Sequence, residues 1–181
     1  MTGPAARLLD QPAVAAFDRW VDTALEPLRG HAIADRVFST ASHLGDWALI
    51  WHVVGAVRGL RSERNAGEAL QLTLLLAAES VIVNQGMKRL FRRERPTPAG
   101  ESRHGLRTPR TSSFPSGHAS AAFFSAGVLT RRSPRLAPLW YSIAVVVALS
   151  RPFVRIHHGS DIVGGAVVGA TLARIATRIL P

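Results

Sequence analysis

A chain of 181 residues supports one domain with a full core and leaves little room for a second. Lys and Arg number 22 against 12 acidic residues, for a net charge of +10, while hydrophobic residues make up 47% of the chain. Its cations fall between long apolar runs, which points to anionic lipid as partner rather than nucleic acid. The absence of cysteine excludes disulfides and thiolate metal sites.

Asp10, Gln11 and Pro12 read as a helix start with an acidic cap and an early proline. Val14, Phe17, Val21, Leu25 and Leu28 then recur at helical spacing, with Asp18, Arg19, Asp22 and Glu26 in the other positions. This amphipathic helix carries too much charge to cross a bilayer and is expected at the interface or against a bundle. Residues 30–43 continue in the same style. The first fifteen residues lack a basic stretch leading into an apolar one, so no cleavable signal is expected.

From Leu44 the texture turns apolar, in segments at about 44–57, 69–87, 118–130, 136–150 and 162–180. A straight crossing takes about 20 residues, so 69–87 and 162–180 are the clear crossings. The shorter segments require added loop residues or burial against the others. Gly164, Gly165, Ala166, Gly169 and Ala170 suit close helix packing in lipid. With no strand alternation and no repeat, the expected fold class is all-α: an integral-membrane helical bundle of five to six helices with an amphipathic amino-terminal helix. If each apolar segment crosses once, the connections at 88–117 and 151–161 fall on one side of the membrane.

Those connections carry three motifs: Lys88 with Arg95 and Pro96; Pro115, Ser116, Gly117 and His118; and Ser150, Arg151, His157 and Asp161. A neutral imidazole attacks phosphorus well when its second nitrogen is held by an acceptor, and Asp161 is within reach of His157 if the turn is helical. The same logic orients the histidine of a serine-protease triad. His118 stands at a helix start, where free N–H groups attract phosphate oxygens and the glycine allows close approach. It is placed to give a proton to a leaving oxygen and then take one from water. Lys88, Arg95 and Arg151 make a charge clamp for the phosphoryl oxygens. Each motif alone has an ordinary alternative: Asp161 as a helix cap, Pro-Ser-Gly as a turn, the cations as a membrane-edge run. Arg89, Arg92, Arg93, Arg103, Arg107 and Arg110 keep that last reading, with Glu101 and His104 in the same loop. Glu79 and Asn84, inside an apolar segment, are expected to face the bundle interior. Asp46 and His52 carry weaker signals, and His158 reads as structural.

Together and in this order, the motifs resemble the type 2 phosphatidic acid phosphatase superfamily, over about residues 69–175. That group includes lipid phosphate phosphatases, undecaprenyl pyrophosphate phosphatases, soluble acid phosphatases and vanadium haloperoxidases. The resemblance implies His157 as nucleophile, Asp161 as its orienter and His118 as acid–base. Lys88, Arg95, Arg151, Ser116 and Gly117 would bind phosphate, with no metal and no cofactor. It also implies six transmembrane helices in membrane members.

The expected organisation is an amphipathic interfacial segment at 1–43 and a membrane-embedded phosphatase domain at 44–181. The expected function is hydrolysis of a lipid phosphate or pyrophosphate through a phosphohistidine. A non-catalytic lipid-phosphate binder or flippase is the alternative from another class, although it has no use for both histidines and Asp161. A vanadium-dependent haloperoxidase is disfavoured by the small, apolar chain. Lys and Arg are nearly balanced between the two sides, but the short loops opposite the motifs lean cytoplasmic. The site is accordingly expected on the outer face of the plasma membrane.

Overall fold

Six helices carry the described residues, 9–97 and 109–179, of this computed structural model. Glu101, Arg103, His104 and Arg107 lie outside the described residues. Helix α1 (Pro12–Leu25) begins with proline in its first turn, as the sequence predicts, but its cap residue is Gln11, whose side chain makes no capping bond. Asp10 therefore does not cap it. The expectation that Asp18 lies on the polar face is also corrected: the residue is buried. Residues 14, 18, 21 and 25 share one helical stripe, and that stripe faces inward.

Helix α2 comes in two halves, Ala32–Gly45 and Leu49–Gly59. The break falls inside the apolar segment expected at 44–57. Trp47 (φ 54°) and Ala48 (φ 56°) both take left-handed backbone there, which is unusual for residues with a side chain. A Cβ on Gly45 would collide with the His118 ring and stand 3.0 Å from Val147 Cγ1. Glycine at that position is what lets His118 approach the break.

Helix α3 runs over Glu63–Leu90. Ser62 caps it by accepting from Asn65 N (3.2 Å), and Val81–Met87 widens into a π-helical turn immediately before Lys88. Its 28 residues reach about 42 Å at 1.5 Å per residue, more than the hydrocarbon thickness. Helix α5 (Ala137–Phe153) and helix α6 (Gly159–Ile179) are the other long apolar rods. Spans long and apolar enough to cross a membrane are Glu63–Leu90, Pro134–Phe153 and Gly159–Ile179. The second of these extends the expected 136–150 segment at both ends.

Helix α4 (Gly117–Arg132) has 16 residues and solves its shortness by burial: Ala119, Ser120, Ala122, Phe124 and Ala126 are all enclosed. It packs most closely against α6, where Gly165 and Gly169 press on the backbone of Ser116 and Ser120. Trp51, Leu72, Leu76, Phe124, Leu129, Trp140 and Val147 form the main core around α4. A smaller cluster of Leu25, Phe153, Val154 and Ile156 seats α1 beside the α5–α6 turn, with Phe38 stacked on Phe153 at 4.5 Å. Leu70, Leu74, Val81, Val145, Val163, Val167 and Ile175 point outward, as lipid-facing residues of an integral membrane protein do.

Candidate active site

The α3–α4 and α5–α6 connections meet at one end of the bundle. Residues 91–95 and 111–114 are laced together: Ser113 N donates to Arg93 O (3.0 Å), Ser113 Oγ donates to Glu94 O (3.1 Å), and Phe91 meets Phe114 edge-on at 4.7 Å. Ser116 N donates to Asp161 O (3.1 Å), which ties the start of α4 to that of α6. This lacing converts two loops distant in sequence into one rigid floor.

His157 is 3% exposed and has both ring nitrogens engaged. Nδ1 lies 3.3 Å from Asp161 Oδ2, and Nε2 lies 3.0 Å from Arg95 Nη1. Asp161 carries no proton to give, so Nδ1 donates and Nε2 keeps its lone pair. Residue 157 precedes α6, and Asp161 reaches back from the first turn of that helix. Burial pushes the imidazole well below its ordinary range, even though Asp161 pulls the other way, so His157 is neutral at physiological pH. The Arg95 guanidinium is braced by Ile156 O (3.0 Å), Thr111 O (3.2 Å) and Ser112 O (3.2 Å). Burial lowers it to about 10, which leaves it charged.

Arg151, in the last turn of α5, is 2% exposed. Its Nη1 donates to Ser42 Oγ, while its Nε has no partner among the described residues. A buried guanidinium with a free donor is suited to an anion. His118 Nε2 lies 3.1 Å from both Ser42 O and Asp46 Oδ1. Lys88, Arg95, Gly117, His118, Arg151 and His157 all line one cavity of about 530 Å³. Trp47, Ala48 and His52 of α2 and Thr73, Leu76 and Ala77 of α3 line the same cavity.

Ser116 is fully buried and its Oγ accepts from Ala119 N (3.4 Å), so it caps α4 instead of lining the cavity. Asn84 lies against Gly117, where an added Cβ would meet Asn84 Oδ1 at 2.9 Å. Glu79 accepts from Ser120 Oγ within the bundle. His158 donates its backbone N–H to Asp161 Oδ2 (2.9 Å), and its ring rests 3.2 Å from Glu94 O.

Sequence reasoning missed Arg93, Asp18 and Ser42, and underrated Asp46. Arg93 is not a lipid-edge cation: Nη1 contacts Asp161 Oδ1 (2.6 Å) and Ser160 Oγ (2.7 Å), and Nη2 contacts Asp18 Oδ2 (2.5 Å). Nothing distinguished it from Arg89 and Arg92 in sequence. Asp18 did leave a signal, as the one charge in the apolar stripe of Val14, Val21 and Leu25.

Residues 68–181 match the PAP2 superfamily. The chain is 30% identical over 156 residues to decaprenylphosphoryl-5-phosphoribose phosphatase of Mycobacterium tuberculosis (strain CDC 1551 / Oshkosh), covering 82% of this chain and 84% of that protein. The same protein in strain ATCC 25618 / H37Rv matches to the same extent. The fold superposes on the crystal structure of a transmembrane PAP2-type phosphatidylglycerolphosphate phosphatase from Bacillus subtilis with a TM-score of 0.73 and 24% identity, over 96% of this chain and 89% of that one. The chain belongs to the PAP2 superfamily, as an integral-membrane lipid phosphate phosphatase.

Proposed function

We propose that the protein hydrolyses the phosphomonoester of a membrane lipid through a phosphohistidine intermediate. The observation that carries this reading is His157, with Nδ1 held by Asp161 and Nε2 facing Arg95 in a cavity lined with further cations. In the first step the Nε2 lone pair attacks phosphorus. An N–P bond forms and the P–O bond to the lipid breaks, with His118 protonating the departing oxygen. Asp161 stabilises the cationic ring that results. Water then gives a proton to His118, its oxygen displaces the imidazole from phosphorus, and inorganic phosphate leaves. Arg95, released from Nε2, binds the phosphoryl oxygens together with Lys88, Arg151 and the N–H groups at the start of α4.

The wall of α2 and α3 residues suits an apolar chain leaving the cavity toward lipid. Within that class, the relative from Mycobacterium tuberculosis favours a prenyl-linked sugar phosphate over a prenyl diphosphate. Phosphate release from both, and from phosphatidic acid and phosphatidylglycerol phosphate, is measured in detergent with excess chelator, for wild type and His157→Ala. Turnover by wild type alone, with an acid-labile and base-stable phosphoryl adduct, is the expected result. Equal lipid binding by both proteins without turnover would establish the non-catalytic binder instead.

We further propose that the site faces away from the cytoplasm, with α1 lying at the interface, where the stacked and outward-facing Phe17 and Trp20 meet head groups. Arg110 is exposed in the motif-bearing connection and the chain is free of cysteine. Arg110→Cys should therefore react with an impermeant thiol reagent in intact cells. Protection until lysis would reverse the orientation.

A further inference from the structure

Helix α1 lies outside the residues matched by the family, yet it touches the site through one buried ion chain. Asp18 is 9% exposed and accepts from Arg93 Nη2 (2.5 Å), Ser160 N (2.8 Å) and Ser160 Oγ (3.1 Å). Arg93 passes on to Asp161 Oδ1 (2.6 Å), and the other oxygen of Asp161 faces His157 Nδ1 (3.3 Å). A carboxylate that must orient an imidazole needs its free oxygen held, or it rotates about its own bond. The fork of Arg93 holds that oxygen, and Asp18 holds the fork.

Helix α1 and the turn that follows it, residues 26–29, are fastened around the same point. Arg29 donates to Pro152 O (3.0 Å) and Phe153 O (2.9 Å), while Arg155 pairs with Asp22 (3.3 Å) and Glu26 (2.6 Å). Gly159 packs so tightly on α1 that an added Cβ would stand 2.9 Å from Val21 Cβ. These contacts flank His157 on the side away from the 530 Å³ cavity, where a second cavity of about 340 Å³ is lined by Asp18, Asp22, Arg93, Arg155 and His157.

We propose that Asp18 and Arg93 are positioning residues for the nucleophile, so that the amino-terminal helix completes the His157–Asp161 pair. This rests on His157 being the nucleophile. Arg93 also offsets part of the charge of Asp161. Removing it leaves Asp161 a stronger partner for the imidazolium, which raises the proton affinity of His157. The other charged or titratable groups around His157 are Arg95 from the connection after α3, Arg151 from α5 and His158 beside it. Lys88 and His118 share its cavity, and Asp18 lies behind Arg93.

The test compares full-length wild type with Arg93→Gln, Arg93→Lys, Asp18→Asn, the Arg93→Gln/Asp18→Asn double variant and His157→Ala. It reads kcat, KM, pH profile and melting temperature in detergent. Misplacing the reacting group should cost Arg93→Gln on the order of 100-fold in kcat, with KM changed less than about threefold. Its acid limb should move to higher pH. Arg93→Lys should restore the limb but only part of the rate, because lysine keeps the charge and loses the fork. Asp18→Asn should lose less, and the double variant should be no worse than Arg93→Gln alone, as expected of residues acting through one chain. Additive losses, or an unmoved acid limb in Arg93→Gln with losses that follow only the melting temperature, would overturn the proposal. Wild-type turnover in His157→Ala would overturn the nucleophile assignment beneath it.

Discussion

Asp46 Oδ1 lies 3.1 Å from His118 Nε2, so each of the two site histidines has a carboxylate of its own. Asp161 belongs to the same motif as His157, whereas Asp46 comes from the break in α2. Trp47 and Ala48, in left-handed backbone, turn the chain immediately after it.

Burial holds His118 below its ordinary range, at about 4, and Asp46 pulls the other way, toward the protonated form that gives a proton to the leaving oxygen. Asp46→Asn is expected to slow hydrolysis of a lipid phosphate by about 10- to 100-fold, a fraction of what general acid catalysis supplies. An aryl phosphate, whose phenol leaves without help, should be slowed less. Equal losses on both substrates would remove the role in leaving-group protonation.

Burial keeps His157 neutral well below the ordinary histidine range, and only the neutral ring has a lone pair for phosphorus. The acid limb of kcat/KM due to His157 is therefore expected below pH about 6.5, the unperturbed value. Stability has the matching sign. Below pH about 6.5 the unfolded chain binds a proton at residue 157 that the folded chain refuses, so this residue's contribution to stability falls as the medium is acidified through that range. Denaturant unfolding of wild type and His157→Gln at pH 7.5 and 5.5 measures it; a wild type that loses no more than the variant would contradict the assignment.

Arg151 has an unpartnered Nε–H among the described residues, in the cavity that also holds Lys88 and Arg95. Inorganic phosphate should fill that demand and raise the melting temperature, with up to about 2.7 kcal/mol available at a concentration 100 times its Kd. Arg151→Gln should abolish most of this shift. A phosphate effect of the same size in the variant would place the anion elsewhere.

Helix α4 depends on small residues across from it. A Cβ at Gly169 would stand 2.9 Å from Ser120 C and 3.0 Å from Phe124 N, both backbone atoms that cannot swing away. Gly169→Val is expected to cost about 1–3 kcal/mol or more by overpacking. Gly67, with nothing within 4 Å of an added Cβ, is the control. Thermal unfolding in detergent should separate Gly169→Val from Gly67→Ala clearly, and equal melting temperatures would refute the packing account.

Much of the architecture was legible from local pattern. Apolar runs separated by basic connections give an all-helical bundle, and if each run crosses once the Lys88–Arg95, Ser116–His118 and Arg151–Asp161 motifs fall at one end. Boundaries were less legible. The run at 44–57 looks continuous, but a break falls inside it because Gly45 lies against His118, a residue 73 positions away. Helix α4 is too short to span by itself and is recognisable as a core helix only once α5 and α6 cover it.

The sequence by itself determined the chemistry available: two histidines, one acidic partner, three cations and a glycine-bearing helix start, in fixed order on connections that share a face. Spacing along the chain carries that information because a motif is local. Only the tertiary structure decided which charges join it. Arg93 was selected over Arg89 and Arg92 by Asp161, 68 residues on, and Asp18 by Ser160, 142 residues on. Helical periodicity reports only which face of its own helix a residue occupies. Which partner waits on that face is settled by packing, because a buried charge persists only where another element brings the opposite one.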